Sequence, residues 1–287
     1  MQKMSSLPLY SELGTRYQQA YSGPYDDMTV VIDDSRLIIA CKDGKLSGFG
    51  RPAICVGDAN KVLPAFKNLY EAFPNIWYMD YLRDNKLDAI SAFLLKNGLA
   101  AQFYYTQIID LTATKEQLHA QLRKSYKNLV NKYQTYIASN GWTEPEILES
   151  GDNSGDNDIN YIIENFRILH WKMYGRFTRN EETWRLQASM IRQNQAFVYT
   201  NYDKSAMGLF IHDKNTCYYG VNSSCGDEIS HPLVWSAILH AKTLGCREFE
   251  LGEQKFKGDE KLMDISYFKR GFGGSTKLRL EFGKEKE

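Results

Sequence analysis

The sequence predicts a mixed α/β protein, of the α+β kind, built from two similar units in which mostly antiparallel sheets are flanked by helices. Three observations predict it. At 287 residues the chain holds about two domains of roughly 150 residues each. Short β-branched and aromatic runs alternate with segments whose apolar residues recur every three or four positions. A succession of meander, helix, strand, loop and closing strand fills the second half and, more loosely, the first, without a residue-level repeat. The units are expected at 1–145 and 146–287, with the last strand a candidate to return to the first.

Composition narrows the class. Hydrophobic residues make up 43% and charged residues 24%, a globular balance rather than a disordered or fibrous one. Thirty-five basic side chains face thirty-five acidic ones, so any nucleic-acid or anionic-membrane contact has to be a local patch. No apolar run approaches the roughly 18 residues of a spanning helix, and Met1-Gln2-Lys3-Met4-Ser5-Ser6 lacks a secretory h-region. A cytoplasmic protein is expected. Of the cysteines, Cys41, Cys55, Cys217 and Cys246 sit in apolar, strand-like surroundings and only Cys225 in a polar loop, so reduced, mostly buried thiols are expected.

In the first half, Val30–Ile32 and Leu37–Cys41 read as strands separated by Asp33-Asp34-Ser35, and Asp43-Gly44 starts another turn. Val62, Phe66, Leu69 and Phe73 make a helical stripe that stops at Pro74. Ile76–Met79 reads as one buried strand, Asn85–Leu95 as a helix closed by Asn97-Gly98, and Ala101–Ile109 as a strand.

Thr114-Lys115-Glu116-Gln117 is a capping box: Thr114 accepts an orphan amide while Gln117 reaches back. It opens a helix expected to run to Ser139, with Leu118, Leu122, Tyr126, Leu129, Tyr133 and Ile137 on one stripe and Arg123, Lys124, Lys127 and Lys132 beside it. The polar stretch from Ser150 to Asn157 reads as a surface loop. Ile159, Ile162, Phe166 and Leu169 mark a helix ended by Gly175, and Thr178-Arg179-Asn180-Glu181 reads as a second capping box. Ala196–Thr200, Ala206–Ile211 and Thr216–Val221 form an antiparallel meander. Ser230 or His231 is expected to cap a helix with Pro232 in its first turn, followed by strands at Cys246–Leu251 and Thr276–Phe282 with a loop between.

This order resembles the GNAT acyltransferase fold. Leu122-Arg123-Lys124-Ser125-Tyr126-Lys127-Asn128-Leu129-Val130-Asn131, Gly175-Arg176-Phe177-Thr178-Arg179 before Thr183-Trp184, and Phe268-Lys269-Arg270-Gly271-Phe272-Gly273-Gly274 are similar to the Fem-type branch, the FemABX-like peptidyltransferases built from two tandem GNAT-like units. The resemblance covers residues 115 to 282, and its most specific piece is the closing Phe-Lys-x-x-Phe-Gly pattern. It implies transfer of an aminoacyl group from aminoacyl-tRNA, or of another activated acyl group, to an amine on a peptidoglycan or polysaccharide precursor. The donor, aminoacyl-tRNA or acyl-CoA, is then a co-substrate, with no tightly bound cofactor. The acceptor is an amine-bearing saccharide or peptide.

The chemistry makes its own demands. An amine attacking an ester or thioester builds an anionic tetrahedral intermediate, which needs fixed positive charge or hydrogen-bond donors. Lys269, at the family's closing lysine, is the first candidate, with Arg270 assisting; a charged sheet edge is the plainer reading of both. The amine must also be neutral, and Asp227, Glu228 and His231 are candidates to take its proton. The plainer reading is that Asp227 and Glu228 complement the dipole at the helix N-terminus and that His231 is a residue of its first turn. Arg123, Tyr126, Lys127, Arg176, Arg179 and Tyr219 are the substrate-binding candidates.

His119, His170, His212 and His240 lack ligand-like spacing, so no metal site is expected. Asn222-Ser223-Ser224-Cys225-Gly226-Asp227-Glu228 offers one glycine and two acids where a coenzyme A pyrophosphate would want backbone amides, which disfavours coenzyme A. Two further readings stand beside the aminoacyl one: an acyl-CoA-dependent N-acyltransferase of an amino sugar or amino acid, and a catalytically silent binding module.

Overall fold

The computed structural model describes residues 8–140, 146–149, 156–201, 204–225 and 230–283. The chain is a mixed α/β protein that divides into two compact units. Tyr10–Thr106 and the segment from Lys277 form the first, and Gln107–Thr276 the second. The division falls inside one strand, between Thr106 and Gln107, rather than near 145, because a single long strand supplies residues to both units.

The first unit opens with α1 (Glu12–Ser22), which the apolar pattern did not announce but which Ser11 caps by accepting from Gly14 N at 3.1 Å. The strands β1 (Asp26–Asp27), β2 (Val30–Ile32), β3 (Ser35–Ile38), β4 (Ala40–Lys42), β5 (Lys45–Ser47) and β6 (Ile54–Val56) follow. Asp43 and Gly44 both take positive φ in the tight β4–β5 turn, as the Asp-Gly pair requires. Then come α2 (Ala59–Ala72), β7 (Asn75–Ile76), β8 (Tyr78–Asp80), α3 (Ala89–Lys96) and β9 (Ala101–Asp110).

Two expectations are corrected here. Ile76–Met79 is not one strand: β7 pairs with β5 and β8 with the C-terminal strand, because Trp77 breaks the run and its indole N–H donates to Glu281 at 2.8 Å. The helix expected from Asn85 begins at Ala89, where Asp88 accepts from Ser91 N at 2.7 Å; Leu82 and Asn85 before it are left-handed. Leu37, Leu46, Val62, Phe66, Tyr78, Ile90, Leu94 and Phe282 form this unit's core, each large side chain contributing about 1.5–3 kcal/mol.

The second unit contains α4 (Lys115–Gln121), α5 (Lys124–Asn140), β10 (Glu146–Leu148), α6 (Asp156–Tyr174), α7 (Glu181–Arg192), β11 (Ala196–Thr200), β12 (Ala206–His212), β13 (Thr216–Ser224), α8 (Ser230–Thr243), β14 (Glu248–Glu253) and α9 (Glu260–Arg270). The last strand, β15 (Ser275–Phe282), leads back into the first unit. Strands β11 to β13 are antiparallel neighbours in sequence order, as the meander predicts; β10, which the sequence reading did not announce, adds antiparallel to β11, and β14 joins β13 in parallel.

The capping box at Thr114 and Gln117 forms as expected, but the helix does not run on to Ser139. It breaks at Leu122, with ψ of 142°, because the Arg123 N–H donates to the Gly271 carbonyl at 2.9 Å instead of continuing the helical ladder. The second capping box is also shifted: Asn180, not Thr178, caps α7 by accepting from Thr183 N at 3.0 Å. Ser230 and His231 lie inside α8 rather than capping it. Most of the polar stretch from Ser150 lies outside the described residues, and its last two residues already belong to α6.

A further element the sequence reading missed is α9, where a loop was expected. Its interior lacks an apolar stripe, since only Ser266 is buried. Its ends are well signalled: Asp259 accepts from Leu262 N at 2.9 Å, and Lys269 and Arg270 complement the carboxyl-terminal dipole. Cys41, Cys55, Cys217 and Cys246 are buried free thiols and Cys225 is exposed. Among the described residues no helix is long and apolar enough to cross a membrane.

Candidate functional site

Strands β13 and β14 create the site by separating. Their parallel pairing runs only from Thr216–Glu248 to Tyr218–Glu250, although β13 continues to Ser224 and β14 to Glu253. The register between β12 and β13 shifts at Leu209/Phe210, leaving Gly220 as the extra residue of a bulge. Past the Tyr218–Glu250 pair, the facing strand edges have no ladder between them among the described residues.

Lys269 reaches this opening from the last turn of α9. Its ammonium donates to the Glu253 carbonyl at 3.2 Å. A Cβ on Gly252 would stand 3.4 Å from Tyr218 Oη and 3.5 Å from Lys269 Nζ, so phenol and ammonium lie over the same glycine, whose φ of +83° turns the end of β14. Burial lowers the Lys269 pKa, with Glu253 and then Glu250 pulling the other way. The charge therefore sits in a low-dielectric corner where it acts strongly on a neighbour. The bonds of Ser266 hold the approach: its hydroxyl accepts from Lys255 N and donates to the Leu262 carbonyl, both at 2.8 Å.

Arg270 turns toward the same loop, donating to Gln254 Oε1 at 3.1 Å with its guanidinium 5.0 Å from the Phe256 ring centre. Neither Lys269 nor Arg270 lies on a sheet edge, which corrects that plainer reading.

The other half of the closing motif is structural. Tyr126, Phe268 and Phe272 cluster around His231, whose ring centroid lies 4.3 Å from that of Tyr126 and 5.1 Å from that of Phe268. Tyr126 is buried in the core of the second unit and donates to the Phe268 carbonyl at 3.0 Å. Arg123 donates to the Tyr267 carbonyl at 2.9 Å and stacks 3.5 Å over the Tyr267 ring. Lys127 donates to the Ala120 carbonyl at 2.8 Å, satisfying one of the acceptors left at the end of α4. Arg123 and Tyr126 thus tie the start of α5 to α9, which carries Lys269, while Lys127 ties α5 to α4.

Arg179 bonds to His170 Nε2 at 2.8 Å, and burial followed by this cation lowers the His170 pKa to about 4. The ring is therefore neutral and accepts. Arg176 is exposed beyond α6. Tyr219 points away from Lys269 into the core, 5.6 Å from the Phe210 ring, and burial raises its pKa. Asp227 and Glu228 lie outside the described residues.

The structure thus brings Lys269, Tyr218, Gly252 and Glu250 together with Arg270 nearby, and puts His231 and Tyr126 in the adjoining aromatic cluster. Tyr218 and Glu250 were not singled out by the sequence. Alternation along β13 separates Tyr218 from Tyr219, but which of the two faces the opening depends on the sheet register. Among the described residues, no three His, Cys, Asp or Glu side chains could hold a metal ion.

No family model matches the sequence, and no curated protein matches it. Solved structures do. The C-terminal domain of an Agrobacterium fabrum protein described as a lysylphosphatidylglycerol synthetase is 15% identical, with a TM-score of 0.62 over 98% of this chain and 88% of that one. L-PGS from Bacillus licheniformis is 12% identical, with a TM-score of 0.59 over 91% of this chain and 85% of that one. FemX is 11% identical, with a TM-score of 0.50 over 96% of this chain and 94% of that one. At these identities the likeness is one of fold: the chain has the mixed α/β architecture expected from the sequence and shares it with these structures.

Proposed function

We propose that the chain is an acyltransferase that moves an aminoacyl or acyl group from an activated donor to an amine of a cell-envelope precursor. The observation that carries the reading is the half-buried Lys269 ammonium at the parted ends of β13 and β14. The fold shared with FemX, and with a protein whose name describes the formation of lysylphosphatidylglycerol, supports the aminoacyl version.

In this mechanism the acceptor nitrogen attacks the donor carbonyl carbon, and the C=O electron pair moves onto oxygen. Lys269 and the Tyr218 hydroxyl stabilise that oxyanion. On collapse, the C–O bond of a tRNA ester or the C–S bond of a thioester breaks, and the leaving oxygen or sulfur takes a proton. The attacking nitrogen loses one. Glu250, buried on β14 as the register partner of Tyr218, is proposed to receive it, with Asp227 and His231 as the other bases.

A specific observation favours acyl-CoA as the donor in a second reading: β13 and β14 stop pairing beyond Tyr218–Glu250, and an extended, amide-containing arm would lie between the parted strands. The experiment is incubation with charged tRNA or acyl-CoA plus amine-bearing envelope precursors, followed by mass spectrometry. An acylated amine is the expected product, its donor dependence separates the two readings, and no product from either donor overturns both. An unreactive chain that still binds these ligands would be the silent module.

A further inference from the structure

The first unit contains its own strand–helix–strand–helix run, β6, α2, β8 and α3, in which β6 and β8 belong to different sheets but are linked by one parallel bridge. Ala53 N donates to the Trp77 carbonyl at 2.7 Å, and Met79 N to the Ala53 carbonyl at 2.9 Å, forming a parallel bridge just before β6. Ligands of α/β sheets sit in the crevice beyond the carboxyl ends of such strands. Here that crevice is a cavity of about 340 Å³ lying wholly within this unit.

The cavity wall is sorted by charge. Asp58 and Asp88 cap α2 and α3, accepting from Asn60 N at 2.9 Å and Ser91 N at 2.7 Å. Asp80, nearly fully buried, accepts from Leu82 N at 2.8 Å and from Asp88 N at 2.9 Å. The backbone donors that two helix N-termini would offer an anion are thus already used by the protein's own carboxylates. Asp88 Oδ2 also accepts from the Tyr78 hydroxyl, so each oxygen of Asp80 and Asp88 holds one donor and keeps a further lone pair. Burial and then Asp80 hold the Asp88 carboxyl above its usual range, an unfavourable proximity that a cation between the two would relieve. Arg83 and Lys86, both exposed, bring positive charge to the same lining, and Arg83 is tied down by its bond to the Gly57 carbonyl at 3.2 Å.

We propose that this cavity binds a small zwitterion of the amino-acid class, its ammonium group seated at Asp80 and Asp88 and its carboxylate at Arg83 and Lys86. The volume is at the low end of the roughly 300–1,000 Å³ of small-molecule pockets, which suits an amino acid and not a nucleotide sugar. The inference is independent of acyl transfer, since every residue it uses belongs to the first unit.

The test is isothermal titration calorimetry of the full chain with L-alanine, L-serine and L-lysine, with their N-acetyl derivatives as partners. Saturable binding of the free amino acids is expected, weakened at least about tenfold, or ~1.4 kcal/mol, by N-acetylation, which removes the ammonium. Asp88→Asn keeps a good helix cap and so the fold, and Arg83→Ala removes an exposed side chain. Each should weaken binding about tenfold with an unchanged circular dichroism spectrum. No saturable binding up to about 10 mM ligand, or affinity unchanged by N-acetylation or by Asp88→Asn, overturns the proposal.

Discussion

Tyr126 donates its phenolic hydrogen to the carbonyl of Phe268 at 3.0 Å, across a separation of 142 residues. This bond ties α5 to the helix that carries Lys269. It is possible because residue 271 is glycine: a Cβ there would lie 2.2 Å from the Tyr126 ring.

Gly271→Ala should therefore destabilise the protein by about 1–3 kcal/mol through overpacking. The ring is fixed on all sides by His231, Phe268 and Phe272 and has nowhere to move. Urea denaturation checks this. Tyr126→Phe, which removes only the hydroxyl, should cost about 1 kcal/mol.

Lys269→Met should lower kcat by about 100- to 1,000-fold, the usual loss when one oxyanion partner is removed. Thermal stability should hold, because a buried charge is being replaced by an apolar side chain. Activity of the wild type needs the ammonium, so it should fall as pH rises through a value below the ordinary lysine 10.5. Lys269→Arg should move that alkaline limb out of range. Full activity of Lys269→Met toward both donors would remove the basis for the proposed mechanism.

Tyr218→Phe should reduce kcat about tenfold or more with little change in KM, since the hydroxyl acts on charge that develops only in the transition state. Tyr219→Phe is the control. Its ring packs in the core beside Phe210, and its loss should be confined to stability. Steady-state kinetics on both variants would separate the two adjacent tyrosines.

His170 gives a pH-dependent stability. Its folded pKa of about 4 lies below the ordinary 6.5, so between these values the unfolded chain binds the extra proton. Stability should be highest above pH 6.5 and fall as pH drops toward about 4. His170→Gln keeps an acceptor for Arg179 and should flatten that slope in urea titrations at a series of pH values.

Much of this architecture is legible in the sequence wherever a local signal has a local cause. The capping box at Thr114 needs only residues three apart, and the meander from Ala196 to Val221 needs only alternation and turns. Breaks imposed from a distance are not legible. The interruption at Leu122 depends on the carbonyl of Gly271, and the splitting of Ile76–Met79 on Glu281. The helix α9 escaped because a helix with only one buried residue carries no apolar stripe to read.

By itself, the sequence determined the fold class, the order of most elements and the burial of four cysteines, and it singled out Lys269 as a candidate. Only the tertiary structure decided that Tyr218 and Glu250 accompany this lysine, while Arg123 and Tyr126 hold its helix. The reason is physical. Helical and strand periodicities record which side of an element is apolar, whereas the meeting of polar groups from β13, β14 and α9 follows from sheet register and from where two strands part, which no local pattern encodes.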